Sequence, residues 1–306
     1  MIRTGVSLFF VGFLFYVVRG DLPLIGKVLQ NVKTPLLLTA AAVFFLTVFV
    51  MAKRLQLIFA VSDVPLRLSE SANLTFIGYF FNNFLPTSVG GDVVKALCAS
   101  RITGETMKSV TSVLMDRIFG LFTFVVIPSF TFLFVIREVS NTSVPILIYA
   151  LLSFSFVGGA LLFSRRLAKR LGFLGRWSNL FGLREKLREL YEGLHRFRYH
   201  KAAVLEALFL SFLGQSIAIF VLYLMAAALG AQAKPLYFYI LVPVVHLVSM
   251  LPSLNGLGIR ESAYIYFLGP SIGREYAAAL GVLWLGLLFL LSVVGGVIYL
   301  LRHDYH

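Results

Sequence analysis

Charge is the first thing this sequence is short of. Only 13% of its 306 residues are Asp, Glu, Lys or Arg, about half the ~25% of a soluble globular domain. Acids are scarcer than bases, 14 against 27. A single cysteine, Cys98, excludes an internal disulfide and a cysteine-based metal site. The histidines His195, His200, His303 and His306 show no metal-ligand spacing, and His246, alone in an apolar run, reads as a core histidine. No metal and no cofactor is therefore expected. The net charge of +13 comes without a recognition motif, so nucleic acid is not an expected partner.

What fills the chain is apolar. Hydrophobic residues make up 59%, including 30 Phe, and the mean hydropathy is +0.88. Ordinary domains are nearer ~45–50% apolar. The fold class is thus an all-α polytopic integral membrane protein. Apolar runs of ~17–25 residues cross a bilayer core of ~30 Å. Six runs read as full spans: 5–18, 35–52, 107–136, 145–163, 202–229 and 276–300. The first reads as uncleaved, since Arg19-Gly20-Asp21 offers no small-residue cleavage site. Lys53-Arg54 reads as the stop of the second, and Pro128 as a kink point in the third.

Two further apolar segments, 69–86 and 235–251, run into breaks. The first break is Phe81-Asn82-Asn83-Phe84-Leu85-Pro86-Thr87-Ser88-Val89-Gly90-Gly91-Asp92-Val93-Val94-Lys95, followed by a short helix over 92–100. The second is Leu251-Pro252-Ser253-Leu254-Asn255-Gly256-Leu257-Gly258-Ile259-Arg260-Glu261. Proline has no backbone donor and clashes with the preceding turn, while glycine gives up backbone order. In lipid, such a break survives only where protein or a water-filled cavity satisfies the freed groups. In both breaks a glycine stands four residues after the proline (Gly90, Gly256) and a charge nine after (Lys95, Glu261). A single domain over 1–306 with repeats around 69–101 and 235–268 is expected.

The basic loop 164–201 holds 11 of the 27 Lys and Arg. With that loop in the cytoplasm, cytoplasmic segments hold 18 basic residues and outer loops 6, and both termini lie inside. Three spans separate the breaks, so they face opposite ways. That is the layout of an inverted repeat, whose breaks, re-entrant or complete hairpins, meet near the midplane. Within the loop, Leu183, Leu187, Leu190, Tyr191, Leu194 and Phe197 recur at helical spacing, as in an amphipathic helix at a lipid surface or packed on the bundle.

The candidate site residues lie in and beside the breaks. Asp92 and Lys95, three apart, share a helix face and can pair or jointly hold a head group. Asp116 and Arg117 are adjacent, ~100° apart around a helix, and are expected to serve different partners. Arg117 and Arg260 are the preferred phosphate ligands, because a guanidinium binds two oxygens at once; the alternative is snorkelling to an interface. Glu261 is expected to partner another helix or to be proton-linked. Asn82, Asn83 and Asn255 can bond a head group or cap broken helix ends. Pro86 makes the first break, and Gly90, Gly91, Gly256 and Gly258 are expected to expose backbone N–H groups suited to phosphate.

Asn83 to Lys95, together with Asp116-Arg117-Ile118-Phe119-Gly120 and Gly256-Leu257-Gly258-Ile259-Arg260-Glu261, resembles the lysylphosphatidylglycerol synthase transmembrane-region family of flippase-like membrane proteins. The resemblance extends over nearly the whole chain. It implies movement of lipids between leaflets, including aminoacylated phosphatidylglycerol, with relatives linked to hopanoid, polyprenol-linked or other lipids. Lys95 departs from the family pattern, which usually has arginine there. Full-length synthases carry a following aminoacyl-transferase domain, and the sequence resembles the membrane part alone, so it is not expected to make the lipid.

A lipid flippase of the cell (inner) membrane is therefore the expected function. Its expected partners are lipids with anionic or zwitterionic head groups, a second copy, or a lipid-synthesising enzyme. Without a nucleotide-binding loop, an ion gradient or the lipid gradient would drive it. Two alternatives are a membrane-embedded transferase using a lipid-linked donor and a lipid-binding partner of another enzyme. The transferase lacks a paired-acid motif, with Asp21 the only outer-loop acid near the first span.

Overall fold

The structure is a computed structural model and describes residues 22–85, 89–135, 153, 183–250, 258–302 and 304. The described residues contain helices and no strands. A short α1 (Leu22–Gln30) precedes α2 (Thr34–Val61), which Pro35 opens in its first turn. The first broken pair is α3 (Leu68–Phe84) and α4 (Gly90–Thr103), and α5 (Thr106–Val135) follows, running through Pro128. The basic loop contributes α6 (Leu183–Arg196). Then come α7 (Lys201–Ala228), the second broken pair α8 (Pro235–Val248) and α9 (Ile259–Phe267), a one-turn α10 (Gly269–Ile272) and α11 (Arg274–Leu301).

Four of these helices are long and apolar enough to cross a membrane: α2, α5, α7 and α11. They coincide with four of the six full spans read from the sequence. The runs 5–18 and 145–163 lie outside the described residues. One span ends elsewhere than expected. Lys53-Arg54 does not stop α2, which continues to Val61. The pair behaves as two unlike residues because adjacent side chains diverge around a helix: Lys53 is exposed, while Arg54 is buried.

The described helices fall into two halves of the same order: span, half-helix, half-helix, span. Lys201 follows Thr34 by 167 residues, Pro235 follows Leu68 by 167, and Arg274 follows Thr106 by 168. The equivalent spans α2 and α7 pack side by side and run antiparallel. The Lys33 N–H donates to the Ala228 carbonyl at one end (2.8 Å), and Arg54 donates to Ser211 near the other (3.0 Å). Each half lends its second span to the other half's broken helix. On α3 the Tyr79 carbonyl accepts from the Ser292 hydroxyl of α11 at 3.2 Å. At the equivalent place His246 of α8 meets the Phe124 ring of α5, centroids 5.6 Å apart.

Backbones approach closely where α11 crosses α3. A Cβ on Gly295 would stand 2.0 Å from the Phe76 carbonyl oxygen, so only glycine fits there. The main core gathers around α7, α8, α9 and α11, with Tyr264 and Phe238 fully enclosed. The amphipathic α6 packs on the bundle through Leu194, and the turn after it through Phe197, against Ile58, Met115 and Phe119. Its last residue, Arg196, pairs with Asp63 in the turn after α2.

Candidate functional site

The first break is built so that α4 starts hard against α3. A Cβ on Gly91 would lie 2.2 Å from the Gly78 carbonyl oxygen. Gly91 is therefore a close-approach position. Its N–H does not face a ligand, as the sequence suggested, but donates to Asn82 Oδ1 at 2.9 Å. The Gly258 N–H is likewise taken, by Glu261 Oε2 at 2.7 Å. Helix N-termini within a bundle recruit the nearest side-chain acceptor for their orphan donors. Gly90 is the buried first residue of α4. Asn83 turns away from the break and ties α3 to α11, donating to the Leu288 carbonyl (3.1 Å) and the Ser292 hydroxyl. Pro86, Asn255 and Gly256 lie outside the described residues.

One turn into α4, a chain of alternating charges crosses three helices. Arg117 on α5 donates to Asp92 at 2.7 Å. Asp92 stands 3.5 Å from Lys95, and Lys95 stands 3.7 Å from Asp116. Asp116 accepts from Arg54 Nε at 2.7 Å, and Arg54 Nη1 reaches the Ser211 hydroxyl of α7. Asp116 and Arg117 thus take different partners, as their angular separation requires. Three cations face two carboxylates, which leaves one net positive charge. Arg54, Lys95 and Asp116 are buried. Each has an opposite charge within reach, which offsets the cost of taking it out of water. Arg117 is the most open of the five, with a quarter of its side chain accessible.

Arg54 is the member that sequence reading missed. Its signal was present: seven residues, Leu55–Val61, continue beyond it before the helix ends, and only Gln56 among them is polar.

The network opens into a cavity of about 290 Å³ lined by Arg54, Asp92, Lys95, Asp116 and Arg117. A second cavity of about 240 Å³ carries Arg260, His246 and Trp284 from the other half. The two share walls, among them Asn82, Arg117, Phe124 and Gln215. Asp92 and Lys95 of the first break and Arg260 of the second therefore line two adjoining chambers, one polar and one aromatic, whereas Asn83, Gly90, Gly91, Gly258 and Glu261 are not among the lining residues. In the second chamber His246 stacks on Trp284 (centroids 5.9 Å apart) and meets the Tyr264 hydroxyl at 3.3 Å.

Arg260 and Glu261 depart from the sequence reading. Expected to serve different partners, they pair with each other, Arg260 Nη2 lying 2.9 Å and Nε 3.2 Å from Glu261 Oε1. They occupy the first turn of α9, where Glu261 folds back to cap Gly258 and a long arginine can follow it. The angle between adjacent residues constrains their Cβ directions, not the tips of long side chains.

Asp92 lies within reach of both Arg117 and Lys95, so it would keep a cationic partner if either moved away. Over residues 1–296 the sequence matches the family described as Lysylphosphatidylglycerol synthase TM region. No match is found among curated proteins or among solved structures.

Proposed function

We propose that this chain, which belongs to the lysylphosphatidylglycerol synthase TM-region family, moves a phospholipid or lipid-linked head group between membrane leaflets. The observation that carries the reading is the charge network of Arg54, Asp92, Lys95, Asp116 and Arg117, one positive charge in excess, opening onto a space that Arg260 of the opposite break also lines. Intramembrane ionisable residues around a cavity mark a pathway for polar cargo. The head group enters the polar chamber while its tails stay in lipid. Its phosphate displaces Asp92 from Arg117, and Asp92 falls back on Lys95. Passage toward the aromatic chamber hands the phosphate from Arg117 to Arg260.

Alternating exposure of such a space needs two halves that rock against each other. The repeated helix order, offset by 167–168 residues, and the antiparallel packing of α2 on α7 support an inverted repeat. We place the chain in the cell membrane with the basic loop 164–201 on the cytoplasmic side. The substrate side of the proposal is an anionic or zwitterionic membrane lipid, and a lipid-synthesising enzyme is its natural supplier.

Reconstitution of the purified protein into liposomes carrying fluorescent phospholipids tests the reading. Lipid accessibility to an external quencher should rise faster than in protein-free vesicles for at least one anionic head group. Equal rates across all head groups would overturn it.

A further inference from the structure

Where the two chambers join, one buried polar group lacks a hydrogen-bond partner among the described residues. Gln215, on α7, lines both cavities. It is 93% buried, with 7% relative exposure, and its amide nitrogen has no hydrogen-bond partner among the described residues. A buried donor without an acceptor is costly, ~1–3 kcal/mol, and uncommon in folded proteins. Packing does not ask for it. One turn earlier, Ser211 of the same helix face is engaged with Arg54 and with the Ala207 carbonyl. The position equivalent to Gln215 in the first half, 167 residues earlier, is Val48, which is fully buried in the core. An apolar residue therefore satisfies the scaffold at this place.

We propose that Gln215 is a specificity-determining residue whose amide N–H₂ donates to an uncharged oxygen of the transported lipid. Arg117, which lines the same two cavities, holds the charged phosphate, and Gln215 reads the neutral acceptor next to it. An amide donor tells apart ligands that a guanidinium does not, because an ionised oxygen satisfies arginine whatever it is attached to. A site built to hydrogen-bond a neutral oxygen rejects an analogue lacking it, since the buried donor is again left unpaired. The ligand class is an anionic lipid bearing a hydroxyl, ester or amide oxygen beside its phosphate. This inference rests on the proposed lipid-transport reading.

The test compares Gln215→Met and Gln215→Glu with the wild type in detergent. Each is titrated with short-chain phosphatidylglycerol and with short-chain phosphatidic acid, which lacks the head-group hydroxyls, and thermal unfolding is followed without added lipid. Methionine matches the shape and removes the donor. The Met variant should unfold at the same or a higher temperature than the wild type yet bind phosphatidylglycerol about ten-fold more weakly. The Glu variant, which replaces the donor with a negative acceptor, should lose more. Weakening for phosphatidylglycerol alone assigns the acceptor to the head-group alcohol, and equal weakening for both assigns it to the glycerol ester; either supports the proposal. Unchanged affinity for both lipids in a folded Met or Glu variant overturns it and leaves the transport reading standing. A wild type that binds neither lipid also overturns it, while the liposome assay decides the transport reading separately.

Discussion

The two halves of the molecule share a scaffold and differ in where they keep their charge. In the first half five ionisable side chains are strung across α2, α4 and α5, and each carboxylate has two cations within reach. In the second half the positions equivalent to Arg54, Asp116 and Arg117 are Val221, Trp284 and Leu285. Among the described residues its buried charge is confined to the first turn of α9, where Arg260 and Glu261 hold each other. One half is a network that can lend a cation; the other is a closed pair set among aromatic rings. In the proposed transport a head group passes from the network to the pair, a difference made by substitution and not by the helix order.

The largest way to break the comparison is to remove the carboxylate that the first half turns on. Asp116→Ala leaves Arg54 and Lys95 buried with one partner fewer each. The expected loss is ~3–5 kcal/mol, the cost of stripping a buried pair, read as a lower unfolding temperature in detergent together with loss of lipid movement. Arg117→Ala separates function from stability. Its side chain is the most accessible of the network, so unfolding should change little, while transport should fall about 10–100-fold for loss of a charged hydrogen bond. Lysine at 117 should restore part of that rate as a point charge without the fork.

The second half should respond more mildly. Glu261→Gln has one oxygen where the carboxylate uses two, so it can keep the Gly258 cap but gives up the charge and the bonds to Arg260. A loss of about 3 kcal/mol is expected, the lower end of the cost of stripping a buried pair, with Arg260 freed and affinity for an anionic lipid raised. Smallest of all are two glycines that separate packing from chemistry. Gly91→Ala should cost ~1–3 kcal/mol by overpacking against Gly78. Gly286→Ala, where a Cβ meets nothing within 4 Å, should stay within ~0.5 kcal/mol.

Particular residues show what could be read without the fold. The two breaks were legible because proline and glycine act on the backbone where they stand. The expected half-helices 69–86 and 92–100 match α3 and α4 closely. The partners of charged groups were not legible. Arg54 meets Asp116 across 62 residues, and periodicity within one helix carries no information about the face of another. A dibasic pair reads as a span end when both members are assumed to seek water, and only one of these does. Arg260 and Glu261 were misjudged for the opposite reason, since a local angle was trusted over side-chain length. Gln215 passed unremarked because a lone amide within a span does little to its hydropathy, and what distinguishes it is a buried donor without a partner among the described residues.

The central claim is that the network of the first half and the pair of the second act on one lipid. A phospholipid with a photoreactive head group, incorporated with the protein in nanodiscs and cross-linked by light, tests it directly. Peptides from α4 or α5 and peptides from α8 or α9 should both be labelled, and unlabelled anionic lipid should compete both labels away with a single midpoint. Labelling confined to one half, or two separate midpoints, would contradict the account.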